Sequence, residues 1–261
     1  MLEQEYHTLA EVEQRHWWYR TLHRQVLRCL GREAQRRGRP LRVFDAGCGT
    51  GGLLLHLRQQ PFLSVGEGCE LNPVALAYAR ARGLQVEPLS VNQLESWPHH
   101  YDVVLSMDVL YHREVDPQAS LSGMAQLLEP GGLLLLNVAA MPCLRRDHDA
   151  RVMGARRFLP AQLRQGIERS GLVVERLRYW NSWLTPLLWL QVRLEAGWRG
   201  GVNPAAGEVP KPSDVQLPTR WLNLLLEALL HVELLCTGLL PLPFGSSLFV
   251  QARRTDLALE G

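Results

Sequence analysis

Apolar positions along the chain switch between two spacings, and each switch marks an element. Leu41-Arg42-Val43-Phe44 is a short apolar run that closes on Asp45 and a glycine-rich turn, as a buried strand does before a helix. Residues 62–66 and 68–71 read as a second strand. Asn72-Pro73 then supplies an N-cap and a first-turn proline for a helix to residue 82, stopped by Gly83. A short third strand is expected over 85–89. The run YDVVLSM at 101–107 is apolar and bounded by polar residues, the pattern of a parallel strand buried on both faces. Asp116-Pro117 opens another capped helix, Glu129-Pro130-Gly131-Gly132 closes it, and 133–138 form a fifth strand. A helix over 160–170 and strands over 172–179 and 247–252 complete the series. Strands alternating with helices predict an α/β fold with a mostly parallel sheet and helices on both faces.

The two flanks of this pattern are less regular. Thr8 with Glu11 three residues on has capping-box spacing, so a first helix is expected over 8–30, with Gly31 as its stop and 32–40 as a basic linker. Between the sixth and seventh strands lie about sixty residues, far more than a simple connection needs. They hold a Trp/Leu-rich helix over 183–195, a Gly/Pro loop to 218, and a second helix from 219. In that second helix Asn223, Glu227 and His231 recur every four residues as a narrow polar stripe. The plain expectation is an element that packs on the sheet; a lid, a dimer face or a membrane-surface contact are the alternatives. Glu227, His231 and Glu233 interrupt it as a membrane span. The expected organisation is one domain, 1–261. It divides into a helical cap and linker (1–40), a cofactor-binding core (41–180), a helical insertion (181–246) and a final strand (247–253).

Composition narrows the class. With 261 residues, 46% hydrophobic and 21% charged, the chain can bury a sizeable core. A net charge of +2 gives no dedicated nucleic-acid surface, and the arginines at 32–42 and at 145–157 read as solvated ends and loops. Five cysteines without C-x-x-C spacing argue against a disulfide framework or a zinc site, and for a reducing cytoplasm.

The candidate chemistry sits at the ends of the first two strands. Gly47 and Gly49 let the chain turn sharply and let a ligand approach the backbone, beside the free N–H groups that open the next helix. Glu70, ending the second strand, offers two acceptor oxygens suited to a pair of ribose hydroxyls. That combination points to an adenosine-type ligand without separating methyl transfer from hydride transfer.

Four motifs in order then carry a resemblance. Asp45-Ala46-Gly47-Cys48-Gly49-Thr50-Gly51, Gly68-Cys69-Glu70-Leu71-Asn72-Pro73, the segment from Tyr101 to His112, and Leu128-Glu129-Pro130-Gly131-Gly132 resemble those of class I S-adenosylmethionine-dependent methyltransferases. His16-Trp17-Trp18-Tyr19-Arg20, His148-Asp149 and Arg156-Arg157-Phe158 resemble a bacterial small-molecule subgroup of that family. The resemblance implies a Rossmann-like, seven-stranded sheet of order 3-2-1-4-5-7-6 with the last strand antiparallel. It places the cofactor's methionine part against Asp45, Gly47, Cys48 and Gly49, and its ribose on Glu70 with Leu71 beside the adenine. Ser90 stands where many relatives have an Asp for the adenine amino group, with Val91 next to it, and Asp108 faces the cofactor's middle.

Methyl transfer needs in-line positioning above all, and an oxygen nucleophile also needs its proton removed. His112 and His148, on the carboxyl edge of the sheet, are the candidate bases. Trp17, Trp18 and Tyr19 are expected to close over the pocket or to pack as core. The expected activity is transfer to a small-molecule or lipid-like acceptor, oxygen favoured, with a homodimer or peripheral membrane contact as possible associations. The alternatives are a nicotinamide-dependent oxidoreductase, because Gly47, Gly49 and Gly52 also satisfy G-x-G-x-x-G, and a non-catalytic module of the same fold.

Overall fold

Continuous burial along the central strands builds a sheet with two apolar faces. The computed structural model describes residues 3–145, 149, 153–199, 216–239 and 242–255. Its seven strands are β1 (Leu41–Ala46), β2 (Leu63–Cys69), β3 (Gln85–Glu87), β4 (Tyr101–Met107), β5 (Leu128–Ala139), β6 (Leu172–Trp180) and β7 (Ser247–Arg254). They are ordered β3-β2-β1-β4-β5-β7-β6, parallel except for β7, which runs antiparallel to both neighbours. This is the order and the exceptional strand that the motif resemblance implied.

Consecutive strand residues feed opposite cores. Val43, Val103, Leu133 and Leu135 pack with Leu22, Val26 and Leu30 of α2 (Trp17–Arg37) and Leu54 and Leu57 of α3 (Gly52–Leu57). Phe44, Val104, Leu134 and Leu136 pack on the other face, with Leu121 and Met124 of α5 (Pro117–Leu127) and Leu163 and Ile167 of α6 (Pro160–Arg169). The helix after β2, α4 (Pro73–Ala81), is capped by Asn72, whose Oδ1 accepts the N–H groups of Val74 and Ala75, as its sequence predicted.

The N-terminal reading needs correction. Two helices, α1 (Glu3–Val12) and α2, replace the single helix expected over 8–30. Thr8 lies inside α1, its hydroxyl donating to the carbonyl of Gln4. His16 is the cap that starts α2, through Nδ1 and the Trp18 N–H. Gly31 is passed without a break, and α2 ends at Gly38 with φ +66°. The stretch expected as a solvated linker is helical through Arg37 because its arginines find acids. Arg36 and Arg37 reach Glu33 at 2.6 and 2.8 Å, and Arg37 and Arg39 reach the buried Asp102 at 2.9 and 2.6 Å.

The insertion adds Leu230 to the core that holds Val43, Leu135 and Phe249 of the sheet, and it makes polar contacts as well. Its helices are α7 (Thr185–Arg199) and α8 (Arg220–Leu239), and α8 packs against α2 with its polar stripe turned inward. Asn223 accepts the N–H of Trp17 and donates to the carbonyl of Arg15; Glu227 pairs with Arg24 at 2.7 Å; His231 meets Arg24 at 2.7 Å. Among the described residues no helix is long and apolar enough to cross a membrane.

Candidate active site

The parallel pairing of β1 with β2 brings the two carboxyl ends together. Asp45 stands opposite Gly68 in register, and the N–H groups of Gly47 and Cys48 both donate to the carbonyl of Cys69 at 3.0 Å. Gly47 has φ +81° and Gly49 +56°, conformations that an L side chain rarely adopts. A Cβ at Gly47 would lie 2.6 Å from Val109, whereas one at Gly49 would meet nothing within 4 Å. The turn is therefore tight on its inner side and open on the side where a ligand approaches. Across that opening, Glu70 Oε2 accepts the Gly49 N–H at 3.0 Å and Oε1 accepts that of Asn72 at 2.8 Å. Turn and carboxylate thus line one cavity of about 860 Å³, within the range of ligand pockets.

A family model for the methyltransferase domain matches residues 14–191, more than half of the chain. This chain belongs to the class I S-adenosylmethionine-dependent methyltransferases. The ubiquinone biosynthesis O-methyltransferase of Escherichia coli O6:H1 is 33% identical over 129 residues, covering 45% of this chain and 53% of that protein. An uncharacterised protein of Synechococcus sp. is 31% identical over 159 residues, covering 57% of this chain and 36% of its own length. The chain therefore spans only about a third to a half of the curated relatives it matches. A solved S-adenosylmethionine-dependent methyltransferase from Mesorhizobium loti shares the fold, with a TM-score of 0.52, 20% identity, and coverage of 83% of this chain and 92% of that one.

In this methyltransferase the residues expected to hold the cofactor come together. Asp45, Gly47, Cys48, Gly49, Glu70, Leu71, Ser90, Val91 and Asp108 all line the cavity, as does the candidate base His112. His148 lies outside the described residues. Several features fit an adenosyl ligand. Asp45 is 2% exposed, and its Oδ1 has no hydrogen-bond partner among the described residues, so a cationic amino group would complete it. Leu71, an apolar side chain 59% exposed on the cavity rim, offers a surface for a flat ring. Ser90 has a second occupation that its sequence position did not show: its hydroxyl oxygen accepts the Asn92 N–H and caps the 3₁₀ turn Val91–Ser96. Its O–H and a second lone pair stay available to a ligand.

Asp108 holds an uncommon position. It has φ +61° just past β4, donates its N–H to the carbonyl of Asn137 at 2.8 Å, and accepts the Asn137 side-chain amide at 2.9 Å. Asn137 is fixed in turn by the Trp180 indole N–H at 2.8 Å, and Trp180 stacks on Trp18 with ring centroids 5.3 Å apart. The N-terminal aromatic run thus both packs as core and lines the cavity, since Trp17, Trp18 and Tyr19 all face it. Arg20 of the same run pairs with Glu227 at 3.3 Å.

Sequence reasoning missed the buried pair that joins the N-terminal helices to the glycine turn. The Arg82 guanidinium bonds the Glu13 carboxylate and donates to the carbonyls of Thr50 at 2.8 Å and Ala10 at 3.0 Å. Glu13 also accepts the Thr50 hydroxyl at 2.7 Å. Nothing in the spacing of residues 13, 50 and 82 announces this contact. A second pair on the cavity wall, Arg157 with Asp149 at 2.9 Å, lies in a segment that family resemblance alone had marked.

Burial raises the Asp45 and Asp108 carboxyls to about 7, for Asp45 with the Glu70 and Glu13 charges adding to it. An unfolded chain ionises both near pH 4. Between roughly pH 4 and 7 the folded state therefore holds more protons, so stability falls as pH rises through that window and levels above it. A cation binding beside these carboxyls favours their ionised forms and releases protons. Calorimetry at about pH 6 in buffers of different ionisation enthalpy should show more protons released by S-adenosylmethionine than by S-adenosylhomocysteine, and an affinity for the sulfonium form that rises toward about pH 7. Equal proton release for the two would contradict this coupling.

Proposed function

We propose that this methyltransferase binds S-adenosylmethionine across the Gly47–Gly49 turn and Glu70, and directs methyl transfer to an oxygen of a small, largely apolar acceptor. The observation that supports it most is the convergence of the turn, both carboxylates and an apolar wall on one cavity. In this reading Glu70 receives the ribose hydroxyls, Asp45 and the backbone of Gly47, Cys48 and Gly49 hold the methionine end, and Leu71, Ser90 and Val91 frame the adenine. Bound there, the cofactor supplies an electrophilic methyl group on a sulfonium. Asp108 places negative charge near the cofactor's middle, while the fixed Asn137 amide holds its carboxylate in one orientation.

The acceptor lies beneath α2 and α7, where Leu144, Leu184, Leu187, Leu188 and Leu226 supply apolar wall. His112, on the same cavity with its ring 4.5 Å from that of Tyr111, takes the acceptor's proton. Oxygen is favoured because the Escherichia coli relative is an O-methyltransferase by name. Family membership removes the nicotinamide alternative from this reading. A reducing cytoplasm suits Cys29, Cys48, Cys69, Cys143 and Cys236, which are all free thiols.

The test is a calorimetric titration with S-adenosylhomocysteine followed by turnover on alkyl- and prenyl-substituted phenols. The expected outcome is one binding site per chain and methyl ethers as products. A chain that binds no S-adenosylhomocysteine overturns the proposal. One that binds it but methylates only nitrogen acceptors overturns the oxygen assignment.

A further inference from the structure

The helix α8 is amphipathic in the reverse sense for a helix at a protein surface. Its polar stripe is buried against α2, and its apolar stripe faces outward. Trp221, Leu224, Leu225, Val232 and Leu235 recur at helical spacing, with Trp221 68% and Leu235 67% exposed. On α7, Trp189, Leu190 and Leu194 are exposed as well, and Trp183 just before it. An apolar face of this extent on a folded chain marks an interaction site.

Charge identifies the occupant. Among the described side chains of α7 and α8 the acids are Glu227 and Glu233, and both are consumed inside. Glu227 pairs with Arg20 and Arg24, and Glu233 accepts the N–H groups of Ser182 at 2.8 Å and Trp183 at 2.9 Å. Among the described side chains, the charges left exposed around the stripe are cationic. They are Arg220 at the start of α8, Arg193 with its guanidinium 4.9 Å from the Trp189 ring centroid, and Arg28 on the adjoining α2. Tryptophan and arginine around a leucine stripe match the boundary between anionic headgroups and acyl chains.

The same helices continue inward. Leu184, Leu187 and Leu188 of the α7 segment and Leu226 of α8 line the cavity whose far side is the glycine turn. We propose that α7 and α8 together dock on an anionic lipid surface, and that an apolar acceptor enters the cavity from that surface. The docking stands on the exposed face; only the entry route rests on the function proposed above.

Flotation with vesicles of phosphatidylcholine, with and without phosphatidylglycerol, tests this. The full chain should float with the mixed vesicles, less with phosphatidylcholine alone, and be released by salt. Trp221→Glu with Leu225→Glu should lower partitioning by roughly a hundredfold, the loss expected for two buried apolar side chains. Neither residue lines the cavity, so melting and S-adenosylhomocysteine binding should stay unchanged. Should that double variant melt early, Leu235→Glu takes its place. Failure of the wild type to float, or unaltered flotation of the variants, overturns the proposal. So does a dimer in sedimentation that the substitutions convert to monomer, because the face then belongs to a second copy. Loss of S-adenosylhomocysteine binding by the wild type would strike the cofactor reading instead, and leave the docking result standing.

Discussion

Glu70→Ala should weaken S-adenosylhomocysteine binding by about a hundredfold, the largest effect expected of any substitution in the cofactor site. Two charge-assisted hydrogen bonds to ribose hydroxyls contribute about 1.5 kcal/mol each, and their joint loss corresponds to that ratio. Part of the loss arises before any ligand arrives, because Glu70 Oε2 also holds the Gly49 N–H and so shapes the turn. Burial raises the Glu70 carboxyl despite the N–H groups of Asn72, Gly49 and Leu71 that favour its ionised form. The ligand-free variant should therefore melt close to the wild type, since removing a desolvated carboxylate offsets the lost bonds. Calorimetry and a melting curve separate the two effects. Unchanged affinity would show that Glu70 does not meet the ligand, and the site would need another occupant.

Arg82→Ala should lower stability by about 3–5 kcal/mol, and the melting temperature by roughly 10 °C, because it strands the Glu13 carboxylate in the interior. Glu13 is 5% exposed, and burial already raises its carboxyl, with Arg82 working against that rise. The same substitution frees the Thr50 carbonyl and the end of α1, so cofactor affinity should fall with stability. Glu13→Gln combined with Arg82→Met removes both charges and should regain much of the lost stability. That pattern in a double-mutant cycle identifies the pair as the source. A double variant no better than Arg82→Ala alone would place the stabilisation in the arginine's carbonyl contacts.

How legible each part was follows from where its determinants lie. Asn72-Pro73 and Asp116-Pro117 start their helices through bonds to their own next few residues, so the local text announces them. The glycine turn and Glu70 are likewise legible, because the first two strands end one after the other and parallel pairing joins those ends. Long-range partners hide the rest. The helix α2 outruns Gly31 because its last arginines bind Glu33 and Asp102, and Asp102 lies more than sixty residues away on β4. His16 was passed over as a cap because Thr8 offered the commoner side chain. The polar stripe of α8 was legible as a pattern but its partners were not, since nothing near it reveals that Arg20 and Arg24 wait on another helix. Asp149 and Arg157 entered as letters of a resemblance, and only the folded chain shows them bonded to each other.

The position of β7 has a consequence for how the molecule is made. It pairs with β5 on one side and β6 on the other, and β6 joins the remaining strands through it alone. A ribosome must therefore extrude both leucine-rich helices before the keystone strand exists, and until then two open strand edges and an oily surface coexist on the nascent chain. Slow closure of this kind favours chaperone capture or early adsorption to whatever apolar surface lies nearest the exit tunnel.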